Sequence, residues 1–175
     1  MKGSVVMRQS LQAVIAVLAL FALFALYGCG VQMESLASRS DWSFKQGADA
    51  LGRGQYDAAI IHYTRFIQEN QGKPARLAPA YNNRAAAYRA IKDRDRALSD
   101  YNQAVDLADA ENRWQYMMQR GIFLHESGSV KDALADFERV IARKPDLKSA
   151  YYYRGLCWKA LNELEKAEAD FLKAK

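Results

Sequence analysis

Asn82-Asn83-Arg84-Ala85-Ala86-Ala87-Tyr88, followed a short way on by Arg96-Ala97-Leu98-Ser99-Asp100-Tyr101, is the stretch that decides the fold. The first half is rich in alanine and both are free of glycine and proline, so both favour helix. Ala85 stands 12 residues before Ala97, and Ala97 four before Tyr101. The same three columns recur along the chain. The small residue is Gly47, Ala85, Gly121 or Gly155. The alanine is Ala59, Ala97, Ala133 or Ala167, and the aromatic is Tyr63, Tyr101, Phe137 or Phe171. Successive units are offset by 38, 36 and 34 residues, which places insertions near 74–77 and 112–113, both between units. Self-similarity at this period in a helical sequence signals stacked repeats.

Each unit carries a turn midway, at Gly54, Lys92, Gly128 and Asn162. Glycine and asparagine end helices well because they tolerate positive φ. Lys92 is the least suited, helped by Asp93 and Asp95 opening the next helix. Small side chains on either side of the turn let two antiparallel helices cross closely. The aromatic lies one helical turn beyond the alanine, on the same face, and is expected to fill the groove to the neighbouring unit. The three prolines, Pro74, Pro79 and Pro145, are expected between helices.

Charged residues obey the same symmetry. Arg84 and Asp100 are 16 apart, as are Arg120 and Asp136, and Arg154 and Asp170, each pair centred on its turn. Residues equidistant from a tight turn lie level across an antiparallel helix pair. A structural Arg–Asp contact is expected, either within a unit or between neighbours, where it would fix register. The first unit has Gln46 and His62 instead.

These columns resemble the tetratricopeptide repeat, whose unit carries small, alanine and aromatic residues at such spacings. The resemblance covers about 40–175. It implies an all-α fold: a right-handed α-solenoid of about four helix–turn–helix units at 40–73, 78–111, 114–147 and 148–175. The first unit is clear in its second helix and vague in its first. The resemblance also implies a concave groove lined by the first helix of each unit. Its lining would be Phe44, Ala48 and Leu51, then Asn82, Asn83, Ala86 and Arg89. Met118, Gln119, Ile122 and His125 follow, then Tyr152, Tyr153, Leu156 and Lys159. This mixture of amides and aromatics suits a protein or peptide partner. The basic residues with which some relatives clamp a terminal carboxylate are absent: Phe44, Gln115 and Gln119 stand in their places.

The first 28 residues read differently. Lys2 and Arg8 give a basic start, and residues 11–26 are apolar apart from Gln12. The apolar run is shorter than the roughly 20 residues of a spanning helix, so it reads as a secretory signal. Leu26-Tyr27-Gly28-Cys29 resembles the lipobox of bacterial lipoproteins, with Tyr27 departing from the usual small residue. That resemblance implies a signal peptide at 1–28, lipidation of Cys29, and a tether at 29–39. It implies a periplasm-facing protein anchored to the outer membrane, since Gly30 rather than Asp follows the cysteine. Cys157, the other cysteine, is expected to be a small buried hydrophobe rather than a disulfide partner.

The remaining composition narrows the function. The whole chain has 25 Lys and Arg against 20 Asp and Glu, and the charges interleave rather than cluster. That argues against a nucleic-acid footprint. No phosphate loop, catalytic triad or metal-ligand cluster is present, so neither an enzyme nor a cofactor is expected. Trp158 is expected in the core. The last hairpin has a polar outer face that could serve as its own cap, or a partner or second copy completes it. The reading is a membrane-anchored scaffold for protein–protein interaction in envelope assembly. The alternative is an envelope glycan-binding module that uses the Tyr152/Tyr153 region.

Overall fold

A computed structural model describes residues 39–175. The chain divides after Asp41, and the unit Trp42–Lys175 carries the repeats. The expected signal peptide, Cys29 and the tether up to residue 38 lie outside the described residues. Among the described residues there are eight helices and no strand: α1 (39–52), α2 (Tyr56–Glu69), α3 (Pro74–Ala90), α4 (Arg94–Leu107), α5 (Arg113–Glu126), α6 (Val130–Arg143), α7 (Lys148–Ala160) and α8 (Leu164–Lys173). α3 packs on α4, α5 on α6 and α7 on α8. Each pair then packs on the next through α2–α3, α4–α5 and α6–α7. α3 also touches α5, and α5 touches α7, so the first helices of successive pairs lie side by side.

The hairpin turns are built alike. Gly54, Lys92, Gly128 and Asn162 all take left-handed φ, at 73, 62, 86 and 62°. Beyond each, a backbone N–H reaches five residues back: Gln55 to Ala50, Asp93 to Tyr88, Ser129 to Leu124 and Glu163 to Trp158, all at 2.9 Å. This is the Schellman closure, which satisfies carbonyls that a helix end leaves open. Lys92 adopts it despite its side chain. Asp93 then caps α4 by accepting from the Arg96 N–H at 3.2 Å. The bonds from Arg96 hold the Asp93 carboxyl below its ordinary pKa.

The aromatic column closes each hairpin on itself. A methyl added at Gly47 would lie 2.9 Å from the Tyr63 ring, at Gly121 2.8 Å from Phe137, and at Gly155 2.7 Å from Phe171. The ring therefore occupies the volume that the small residue vacates in its own unit, which corrects the expectation that it chiefly fills the groove between units. It reaches the next unit as well: Tyr101 packs on Phe123 at 5.2 Å between centroids, and Phe137 stacks on Tyr153 at 5.8 Å. The first unit's first helix is formed too. Gly47 meets Tyr63 there, and Phe44 packs on Tyr63 and Phe66.

The structure differs from the sequence reading at Pro79 and Trp158. Pro79 lies inside α3, because that helix starts at Pro74, and the expected insertion at 74–77 is its first turn. Proline within a helix loses a backbone hydrogen bond. Burial of Leu77, Ala78 and Ala80 around it offsets the cost. The second insertion is a loop, closed by Asp109 accepting from the Asn112 N–H at 2.8 Å. Trp158 is half-exposed rather than core, with Lys166 Nζ 4.6 Å from its ring centroid. Its long neighbour covers the ring from the solvent side, a contact no hydrophobic pattern encodes.

Cys157 is fully buried in the core of the third and fourth units. Burial pushes its thiol up from 9.0 to about 11. A native-state thiol assay at pH 8 should therefore show reaction only at the rate of unfolding. The sign of the pH effect follows, since the unfolded thiol ionises first. The stabilising contribution is complete below about pH 9 and disappears as pH rises through about 11. Fast labelling of the native protein at pH 8 would contradict this.

Candidate functional site: the face of the first helices

α3, α5 and α7 place equivalent residues at equivalent heights. The column Asn82, Met118 and Tyr152 shows three outcomes. Tyr152 is exposed, and Asn82 is half-buried. Met118 is buried against the core near Phe137, which removes it from the expected groove lining. An unbranched apolar side chain turns inward where an amide or phenol stays at the surface. Phe44 likewise belongs to the core rather than the groove, because Tyr63 and Phe66 offer it an aromatic site.

The next column holds Asn83, Gln119 and Tyr153. Asn83 Nδ2 donates to the Tyr63 hydroxyl of the preceding unit at 3.1 Å. Asn82 Nδ2 lies 3.4 Å from Asn83 Oδ1. Asn82 Oδ1 is buried and has no protein hydrogen-bond partner. A buried amide oxygen without a donor is costly, and it is the one unsatisfied side-chain acceptor of this kind among the described residues. Gln119 is exposed, while Tyr153 is half-buried under its stacking on Phe137 and meets Tyr152 edge-on at 5.4 Å.

Further along the helices, Ile122 is half-buried against the core, His125 is half-buried and Lys159 is exposed. Arg89 is engaged: Nη2 donates to Glu126 Oε1 at 2.5 Å, across from α3 to the end of α5, and the guanidinium also bonds the Tyr101 side chain. The sequence reading missed Glu126, whose position is not one of the repeating columns. Of the expected residues, Asn82 and Asn83 join Tyr63, Arg89 pairs with Glu126, and Tyr152 meets Tyr153.

The Arg–Asp columns form bidentate pairs beneath this face. Arg84 Nε and Nη2 donate to Asp100 at 2.7 and 2.8 Å, Arg120 to Asp136 at 2.8 and 2.7 Å, and Arg154 to Asp170 at 2.7 and 2.7 Å. Two guanidiniums also reach back to the preceding unit. Arg84 Nη1 donates to Thr64 Oγ1, and Arg120 Nη1 to Asn102 Oδ1, both at 2.9 Å. The contact is therefore both within and between units. Its sequence signal is the polar residue directly after the aromatic. Burial alone would lower the Arg84 guanidinium, but its bonds to Asp100 outweigh that and hold it above its ordinary value. These residues brace the helices and present no free charge to a ligand.

This arrangement is that of an α-solenoid of stacked helical pairs. Comparison with known proteins makes the class specific. A tetratricopeptide repeat is recognised over residues 78–111. Tetratricopeptide repeat protein 36 of Danio rerio is 32% identical over 68% of this chain, and the match spans 65% of that protein's length. The structure of MamA superposes with a TM-score of 0.69 at 20% identity, covering 83% of this chain and 81% of MamA. YrrB, described as a TPR protein with an unusual peptide-binding site, superposes with a TM-score of 0.66 at 21% identity, covering 91% of this chain and 78% of YrrB. Residues 78–111 match the tetratricopeptide repeat, and the chain has the all-α fold of tetratricopeptide-repeat solenoids.

Proposed function

We propose that the protein is a membrane-anchored scaffold that holds a protein or peptide partner on the shared face of α3, α5 and α7, in bacterial envelope assembly. The observation that carries the binding part is the continuous face itself. It offers exposed Gln119, Tyr152 and Lys159 on neighbouring helices. An extended chain supplies main-chain N–H donors at regular spacing, and aromatic side chains supply contact area at small entropic cost. The anchoring part rests on the basic start, the short apolar run and Leu26-Tyr27-Gly28-Cys29. A single acyl chain binds membranes weakly, so stable anchoring takes more than one. The periplasmic side of an outer membrane is the location that these residues favour.

Two variants separate the parts. Cys29→Ser should release the protein from the membrane fraction while leaving partner capture intact. Gln119→Ala/Tyr152→Ala/Lys159→Ala changes exposed side chains and should leave the helical signal intact. It should reduce recovery of a crosslinked partner by tenfold or so, the loss expected when about 1.4 kcal/mol of binding is removed. Undiminished recovery would remove the face from consideration. Unchanged membrane attachment of the Cys29→Ser protein would remove the anchor.

A further inference from the structure

We infer that the third hairpin holds a socket for an arginine side chain of a partner protein, a site beyond the binding face proposed above. The socket is a cavity of about 330 Å³ that α4, α5 and α6 line together. Leu98, Leu124 and Ala135 give it apolar walls, and Asp132 gives it a carboxylate. Ligand sites run from roughly 300 to 1,000 Å³, so the volume suits one side chain rather than a whole small molecule.

The repeat explains why the cavity is there. Three residues after the small-residue column, units two, three and four carry Tyr88, Leu124 and Trp158. One residue before the alanine column they carry Arg96, Asp132 and Lys166. In units two and four the two positions close on each other: Arg96 Cζ lies 4.6 Å from the Tyr88 ring centroid, and Lys166 Nζ 4.6 Å from that of Trp158. Each is a cation over a ring face. Unit three has neither the ring nor the cation, and both residues that replace them line the cavity.

The helix itself does not require an acid at 132. α2, α4, α6 and α8 each hold an acid in the first turn, Asp57, Asp95, Asp132 and Glu165, where it favours the helix dipole. In α2, α4 and α8 that acid stands two residues before the alanine. In α6 it stands one before, and Lys131 takes the usual acidic place. This exchange sets a carboxylate where the neighbouring units set a cation.

The charge around the cavity agrees. Arg120 is bonded to Asp136 and Asn102, which also line it. The bonds from Asp136, and then the charges of Asp136, Asp106 and Asp132, hold the Arg120 guanidinium above its ordinary value against the effect of burial. Those three carboxylates outnumber the two guanidiniums of the lining, Arg120 and Arg139, so the cavity favours a cation. Arg139 stands seven residues beyond Asp132 on α6, about two helical turns away. An incoming arginine supplies both things that unit three lacks. Its flat guanidinium takes the place of the ring, with the stem against Leu98 and Leu124, and its charge meets Asp132 through paired hydrogen bonds.

The test uses the full-length protein in detergent, its amide NMR spectrum, and N-acetyl-argininamide as the probe. The blocked arginine should shift the Leu98, Leu124 and Asp132 amides saturably. N-acetyl-citrullinamide keeps the shape without the charge and should bind roughly tenfold more weakly, and Asp132→Asn should lose the same factor. Leu124→Tyr/Asp132→Arg rebuilds the ring and cation of the neighbouring units, so it should raise Tm and abolish the shifts. Gln119→Ala/Tyr152→Ala/Lys159→Ala should leave them unchanged, which tells loss of the proposed face from loss of the socket. Absent shifts in the wild type would overturn the inference, as would equal binding by the citrulline compound or by Asp132→Asn. Binding of the blocked glutamate counterpart instead, lost in Arg139→Gln, would overturn it in favour of an anion site. Tighter binding of free arginine than of the blocked form would overturn it in favour of a small molecule.

Discussion

Replacing Asp136 with alanine should destabilise the protein by about 3 kcal/mol, because it leaves the Arg120 guanidinium without its bidentate partner inside the hairpin. The Asp136 side chain is 3% exposed and that of Arg120 16%. The stranded charge therefore has little access to water. Asn102 would still accept from Nη1, but one neutral acceptor does not replace a carboxylate that takes two short bonds. The double variant Arg120→Met/Asp136→Leu removes the charge and its partner together. It should be more stable than the single variant, since apolar residues of similar volume often replace a buried pair at little cost. Arg65→Ala breaks an exposed pair within α2 and should change stability by no more than about 0.5 kcal/mol. Urea unfolding followed by circular dichroism ranks the three. An Asp136→Ala protein within about 1 kcal/mol of the wild type would show that the pair contributes register and not stability.

The aromatic column gives the second large effect. Phe137 is fully buried, and its ring fills the space above Gly121. Phe137→Ala should cost about 3–5 kcal/mol through lost burial and the cavity that remains. Gly121→Val approaches the same contact from the other side. It drives a branched side chain into a ring whose carbon already lies 2.8 Å from where the first methyl would be. Overpacking of this kind costs about 1–3 kcal/mol. Gly121→Ala should be milder, because unit two tolerates Ala85 beneath Tyr101, with both residues buried. The combination Gly121→Val/Phe137→Ala should be less destabilised than the sum of its parts, since the valine enters volume that the ring has left. Additive losses would mean that the two residues do not share that volume.

The repeat columns could be read from sequence because they follow from backbone geometry. Gly54, Gly128 and Asn162 stand where a helix must end with positive φ. Lys92 could be placed only by its spacing, and the structure gives it the same turn. The 16-residue separation of arginine and aspartate requires only that two helices run antiparallel from a tight turn. Side-chain direction is set by neighbours and was less legible. Met118 and Asn82 share a column, yet one turns into the core and the other stays half-exposed. Pro79 marks a helix interior only because Leu77, Ala78 and Ala80 bury around it. Glu126 meets Arg89 from 37 residues away, an arrangement without a period that a sequence pattern could reveal.

The backward reach of the guanidiniums has a mechanical consequence. Arg84 and Arg120 each close their own hairpin while gripping the hairpin before it, so the clasps act in series along the stack. Tension drawn along the stack loads each clasp in turn. A clasp that yields slackens two adjacent hairpins at once, so the stack gives way in steps larger than a single repeat.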